Sequence, residues 1–183
     1  MVPVPKTYPI EIAGLHRNLP IFEVKPGLSI AILNILGDVE LVQASACALA
    51  NKLENLVFDV IVTAESKSIP IAYALAIETK KPYVVLRKEF KPYMGKVIQT
   101  ETLSITTGKP QTLFLDEKDQ QLIKSKNILL LDDVISTGST LQAMRSIIKK
   151  AGGKVIGEAA ILTEGDKAQW NNIIALGHIP LFT

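Results

Sequence analysis

Four consecutive aliphatic residues, Ile128-Leu129-Leu130-Leu131, constrain this chain more than any other feature. Successive side chains of a strand point to opposite faces, so a run with no polar interruption is apolar on both. Such a strand has to be covered above and below, as in the interior of a parallel sheet with helices on each side. The rest of the chain has the matching rhythm. Leu28–Leu36, Phe58–Thr63, Tyr83–Leu86 and Lys154–Leu162 read as further strands. Between them lie segments with helical spacing. Val42, Ala46, Leu49 and Leu53 follow the turn and cap signal Gly37-Asp38. Ser68 precedes a helix over Ile69 to about Thr79, with Pro70 tolerated in its first turn. Leu141, Met144, Ile148 and Ala151 mark a third helix, closed by Lys149, Lys150, Gly152 and Gly153. Alternating strands and helices imply βαβ units and an α/β fold.

Two stretches break the rhythm. Residues 97–115 are rich in Thr and Ser, with a turn signal at Gly108-Lys109-Pro110 between Leu103/Ile105 and Leu113/Leu115. They read as a β-hairpin inserted between sheet strands. The two ends carry similar short apolar segments, Leu19-Pro20-Ile21-Phe22 and Ile179-Pro180-Leu181-Phe182, which are expected to meet in a small subdomain.

Composition narrows the function classes. At 183 residues the chain is expected to be one domain. A net charge of +2 is a poor argument for a nucleic-acid partner. The single Cys47 excludes a disulfide framework within the chain and a cysteine-based zinc site, and the small residues around it read as tight helix packing. His16 and His178 have no acid or Cys at metal spacing, so structural roles are expected. The longest apolar run is far short of the ~20 residues of a membrane span. The opening MVPVPKTYPIEIAG has neither an apolar signal core nor an Arg-rich leader. A soluble, cytoplasmic protein is expected, and its 48% hydrophobic content hints at an oligomer interface.

The chemistry is concentrated in Ile128–Thr140, ILLLDDVISTGST. A buried strand ends in Asp132 and Asp133; a loop of small residues, Ser136-Thr137-Gly138-Ser139-Thr140, leads into a helix. Backbone amides and the positive end of a helix converge at such a loop and bind a phosphate dianion. Gly138 permits close approach of the backbone. Paired carboxylates at the strand end accept hydrogen bonds from a diol or hold a hydrated Mg²⁺. Phosphate donors beside diol acceptors fit a sugar phosphate such as ribose 5-phosphate. The apolar run plus Asp also suggests the Mg²⁺ strand of P-loop NTPases. That fold needs a GxxxxGK[ST], which the chain lacks, as it lacks a GxGxxG. A second strand–loop–helix unit, Val62-Thr63-Ala64-Glu65-Ser66-Lys67-Ser68, faces another helix N-terminus and adds the charge of Lys67.

ILLLDDVISTGST resembles the hallmark of the type I phosphoribosyltransferases, position by position. The resemblance extends from about Leu15 to Phe182 and is closest to adenine phosphoribosyltransferase. Xanthine phosphoribosyltransferase and the purine operon repressor's effector domain are near neighbours. The adenine likeness rests on Glu65-Ser66, Arg87-Lys88 and Arg17-x-x-Pro20 leading to Pro26-Gly27, while Lys67-Ser68-Ile69-Pro70-Ile71-Ala72-Tyr73 resembles the repressor's effector domain. The family resemblance implies a parallel core of about five strands flanked by helices, roughly 28–164, with a flexible inserted hairpin and a hood from about 1–27 and 165–183. It implies transfer of the 5-phosphoribosyl group of phosphoribosyl pyrophosphate (PRPP) to a purine, adenine first, giving AMP and pyrophosphate. The alternatives are another purine such as xanthine, or a non-catalytic PRPP-sensing regulator. Mg²⁺ and a homodimer are implied, with no nucleic acid and no membrane.

The resemblance also assigns roles. Asp132, Asp133 and Lys88 are implied as catalytic, with the two acids on the ribose hydroxyls and on the metal through water. Ser136, Thr137, Gly138, Ser139 and Thr140 would bind the 5-phosphate. Glu65, Ser66, Lys67, Arg87, Lys88 and Lys91 would bind pyrophosphate, with Lys67 where the family pattern has Arg and a non-proline cis peptide near Glu65-Ser66. Ile21, Phe22 and Glu164 are the candidates for the base pocket. The hairpin would close over PRPP and exclude water. Its usual Glu has no clean counterpart: Thr106 falls at that place, and Glu101 is the sole carboxylate before the turn.

Overall fold

The computed structural model describes residues 6–103 and 110–182. Five parallel strands form its central sheet, in the order β10-β9-β8-β4-β5. These are β4 (Val60–Ala64), β5 (Tyr83–Leu86), β8 (Asn127–Ile135), β9 (Lys154–Glu164) and β10 (Ile174–Ile179). The aliphatic run sits at the centre, and all of Ile128–Leu131 are fully buried. Strand alternation divides it between two cores. Leu129 and Leu131, with Ile61 of β4, pack on Leu41, Leu49, Ile71 and Leu75 of α1 (Val39–Lys52) and α2 (Ile69–Thr79). Ile128 and Leu130 pack with Val60 and Val62 on Met144, Ile147 and Ile148 of α4 (Ser139–Lys150). A short α3 (Glu117–Ile123) precedes β8. Among the described residues no helix is long and apolar enough to cross a membrane.

The helix signals hold with one change. Asp38 caps α1 through its carboxylate, which accepts from the Leu41 amide at 3.1 Å. Ser68 precedes α2 but makes no side-chain cap; its hydroxyl instead donates to the Ala64 carbonyl at 2.6 Å. Cys47 is exposed on α1, not packed, because Ser45, Ala46 and Leu49 are the residues that face inward.

The largest departure is at Leu28–Leu36. Only Leu28–Ala31 is a strand (β3), and it lies outside the parallel sheet. It pairs antiparallel with β2 (Leu15–Lys25), which pairs with β1 (Thr7–Ile12). The Ile32 amide donates to Pro20 and the chain then leaves the ladder, with Asn34 capping its own turn at the Leu36 amide. The two ends do meet, through β3: Ser29 and Phe182 exchange backbone hydrogen bonds at 2.7 and 3.0 Å. The Phe182 ring also stands edge-on to Tyr8, 5.4 Å between centroids. Leu19–Phe22 pairs with β1 and β3, not with Ile179–Phe182. Ile174–Ile179 is an edge strand of the central sheet, because β9 is long enough to pair with it up to Glu164.

The inserted segment is an antiparallel pair, β6 (Ile98–Leu103) with β7 (Pro110–Leu115). Its Gly108-Lys109 turn, Ile105 and Thr106 lie outside the described residues. The Thr100 hydroxyl is 3.1 Å from Ser146 of α4, and Lys150 donates to the Gln99 carbonyl at 2.7 Å. Phe114 and Arg87 exchange backbone hydrogen bonds at 2.8 and 2.9 Å, tying β7 to the end of β5.

Candidate active site

The two acids lie within β8 rather than at its end. The strand continues to Ile135 because β9 supplies partners that far, Asp132 opposite Ala160 and Ile135 opposite Thr163. The Asp133 amide donates to Asp132 Oδ1 at 2.9 Å. Burial pushes the Asp132 carboxyl well above the ordinary carboxylate range, and the charge of Asp133 pushes it the same way. Lys88 opposes both. After Ile135 the chain turns through Gly138 at φ +74°, a left-handed conformation that suits glycine, and α4 starts at Ser139. A glycine at the cap position has no side chain to offer the first amides of α4. Within the turn the Ser139 amide donates to Thr137 Oγ1 at 3.4 Å.

The upstream loop between β4 and α2 contains the expected cis peptide, Glu65-Ser66. The Glu65 carboxylate faces the end of β5. It accepts from Arg87 Nε at 2.7 Å and from the Lys88 amide at 2.5 Å. Hydrogen bonding to Glu65 raises the Arg87 guanidinium's affinity for its proton. Below the loop, the Thr63 hydroxyl lies 2.8 Å from both Ser68 Oγ and the Leu131 carbonyl. This buried contact fixes one loop against the acid-bearing strand.

These elements enclose a cleft of about 380 Å³ beyond the carboxyl ends of β4, β8 and β9. Glu65, Ser66, Lys67, Lys88, Asp132, Asp133, Ser136, Thr140 and Glu164 line it. Thr137, Gly138 and Ser139 form the turn between Ser136 and Thr140 without lining the cleft. Arg87 is engaged with Glu65, and Lys91 stands outside the cleft, paired with Glu89 at 2.8 Å. Ile21 and Phe22 do not reach the cleft. They are opposite Ala31 and Ile30, and it is Ile30–Leu33 that forms the apolar wall. The exposed Glu101 lies on β6 opposite Thr112 and is not among the lining residues.

Glu164 is 7% exposed; burial pushes its carboxyl up, and the Ser136 hydroxyl opposes that shift. The backbone around it is held by two residues that sequence reasoning left out of the site. Trp170 donates from Nε1 to the Glu164 carbonyl at 2.8 Å. His178 bridges the Thr163 hydroxyl (2.9 Å) and the Gly165 carbonyl (3.0 Å), in line with a structural role. Neither is signalled by spacing, since both act through contacts between β9 and segments that follow it.

A cleft with a helix-start turn, paired acids, two lysines and an apolar wall can hold an anionic sugar ester beside a flat apolar group. The family model for the phosphoribosyl transferase domain matches residues 34–173. The adenine phosphoribosyltransferase of Thermosipho africanus is 30% identical over 173 residues, 91% of this chain and 98% of that protein. The hypoxanthine/guanine phosphoribosyltransferase of Methanococcus voltae is 35% identical over 108 residues, 59% of this chain and 54% of that one. Among solved structures, adenine phosphoribosyltransferase from Giardia lamblia, complexed with 9-deazaadenine, superposes with a TM-score of 0.73 at 20% identity. That match covers 87% of this chain and 93% of the Giardia chain.

Proposed function

Because the chain belongs to the phosphoribosyl transferase domain family, we propose that it transfers the 5-phosphoribosyl group of PRPP to a purine nitrogen, with adenine as the first substrate. The observation that carries this reading is the juxtaposition, in one cleft, of Asp132 and Asp133 with Ser136 and Thr140, the two ends of the turn into α4. The whole chain acts as one transferase unit. In the reaction the bond from the ribose C1 to the pyrophosphate oxygen breaks, pyrophosphate leaves with the electron pair, and a C1–N bond forms to the base, whose attacking nitrogen gives up its proton to the released pyrophosphate or to water. Positive charge develops on the ribose ring as the leaving group departs.

The residues divide this work. The backbone of Ser136–Thr140, with the Ser136 and Thr140 hydroxyls, holds the 5-phosphate at the start of α4. Asp132 and Asp133 accept from the ribose hydroxyls and favour the cationic ring. Ser66, Lys67 and Lys88 receive the pyrophosphate, with Glu65 orienting Arg87 and the Lys88 amide. Lys67 supplies a point charge in place of a guanidinium fork. Lys91, bound to Glu89, has to exchange partners to take part. Glu164 and the Ile30–Leu33 wall receive the base, with Ile21 and Phe22 backing that wall. Among the described residues no group of three or more His, Cys, Asp or Glu could hold a metal ion. Two adjacent carboxylates nevertheless fit Mg²⁺, which takes one or two carboxylates and completes its shell with substrate oxygens and water. Bound there, the ion would neutralise charge on the departing pyrophosphate. The proposed setting is a homodimer in the cytoplasm.

The test is pyrophosphate release from Mg²⁺–PRPP with adenine, hypoxanthine, guanine, xanthine or orotate supplied singly. Adenine is expected to give the highest kcat/KM. PRPP binding with no pyrophosphate released for any base would instead identify a PRPP-sensing regulator.

A further inference from the structure

Trp170, outside the cleft, touches the backbone of Glu164 and the turn at Gly138. Its indole N–H donates to the Glu164 carbonyl at 2.8 Å, on the side assigned to the base. The far edge of the same ring covers Gly138: a Cβ there would lie 3.0 Å from Trp170 Cη2 and 3.4 Å from Cζ3. Gly138 is the left-handed hinge of the phosphate turn. Other contacts anchor the indole. It closes a helical turn over Lys167–Trp170, capped by Asp166, whose carboxylate accepts from the Ala168 amide at 3.0 Å. Trp170 also packs on the core cluster that contains Ile135 and Leu141, on either side of the turn. Glu164 is meanwhile bracketed by His178, which holds the residues before and after it.

We propose that Trp170 is a positioning residue that sets the phosphate turn and the Glu164 wall in register, its ring edge acting on Gly138 and its N–H on Glu164. A rigid bicyclic ring that touches both fixes their separation, which is the separation between the 5-phosphate and the base in a bound nucleotide. The inference rests on the transferase reading for its kinetic consequences but not for its structural core.

The two contacts are separable by substitution. Trp170→Phe deletes the donor and keeps an aromatic edge near Gly138; Trp170→Ala deletes both. The expected pattern is a KM for PRPP raised about tenfold by Trp170→Ala and restored to within about threefold by Trp170→Phe. The KM for adenine is expected to rise at least threefold in both. A merely structural role would lower the melting temperature and leave both KM values unchanged, and that result would overturn the proposal. A second readout needs no turnover. Trp170 is the sole tryptophan of the chain, so emission excited at the red edge of the indole band, beyond tyrosine absorption, reports on it alone. Titration of the wild-type protein with ribose 5-phosphate is expected to shift or quench that emission saturably, and Gly138→Ala is expected to change the starting spectrum. Saturable binding with an unchanged spectrum would contradict the coupling, even if Trp170→Ala failed to fold. A spectral response without transfer to any base would uphold the coupling and refute the transferase reading instead.

Discussion

At the scale of single residues, the carboxyl of Asp132 sits where its charge is disfavoured. Burial and the neighbouring Asp133 hold its proton more tightly in the folded chain than in the unfolded one, where a carboxyl titrates near ~3.9. The stability associated with the protonated form is therefore complete below that value and is lost as pH rises through the higher folded-state value. Asp132→Asn is thus expected to raise the melting temperature at pH 7–8, at about 2–4 °C for each kcal/mol relieved. The gain should vanish near pH 3.5; thermal melts across that range decide it. Gly138 is the opposite case. Gly138→Ala places a Cβ in a left-handed conformation, costing about 1–2 kcal/mol, and against Trp170. A several-fold rise in the KM for PRPP with a modest fall in melting temperature is expected, and an unchanged KM would count against the turn as the phosphate seat. The acids and the glycine were legible in the sequence because small residues after paired acids leave few other uses. Trp170 was not, because its two contacts lie 6 residues back along the chain and across to the turn.

Among elements, four of the five central strands, β4, β5, β8 and β9, and helices α1, α2 and α4 followed from periodicity, whereas β10, in the segment expected to join the hood, and α3 did not. Leu28–Leu36 is apolar enough to be an inner strand, yet Leu28–Ala31 join β2 and Ile30–Leu33 wall the cleft. Hydropathy records burial, not the partner that provides it, so the run looked like one element. Ile21 and Phe22, expected to close over the base pocket, pair with Ala31 and Ile30, one strand away from the cleft. Arg17 then joins the N-terminal sheet to the core. Its guanidinium meets Asp38 at 2.8 and 3.0 Å and Glu40 at 2.9 Å, while Asp38 caps α1. Asp38→Ala removes the cap, worth about 1 kcal/mol, and the bidentate partner of Arg17. The melting temperature should fall by about 2–4 °C, and amide exchange should quicken at Leu41 and along β2. Protection unchanged at both places would show that the sheet is held by other contacts.

For the whole molecule, the carboxyl end of the sheet collects residues from the ends of four strands, β4, β5, β8 and β9, and from the N-terminal segment, so the cleft exists only in the assembled fold. The motif brought the Ser136–Thr140 turn and the acids into view together because each is local in sequence. The apolar wall, the Glu65–Arg87 pair and the Trp170 brace depend on chain crossings that no spacing encodes. The variant Asp132→Asn/Asp133→Asn should fold and melt cooperatively yet release no measurable pyrophosphate; full turnover in a folded double variant would remove the carboxylates from the mechanism. The most direct measurement is a crystal structure with Mg²⁺ and PRPP bound. The 5-phosphate should be seated on the amides of Ser136–Thr140 with the ribose hydroxyls on Asp132 and Asp133. A 5-phosphate bound at Lys67 and Lys88, with the acids facing solvent, would contradict it.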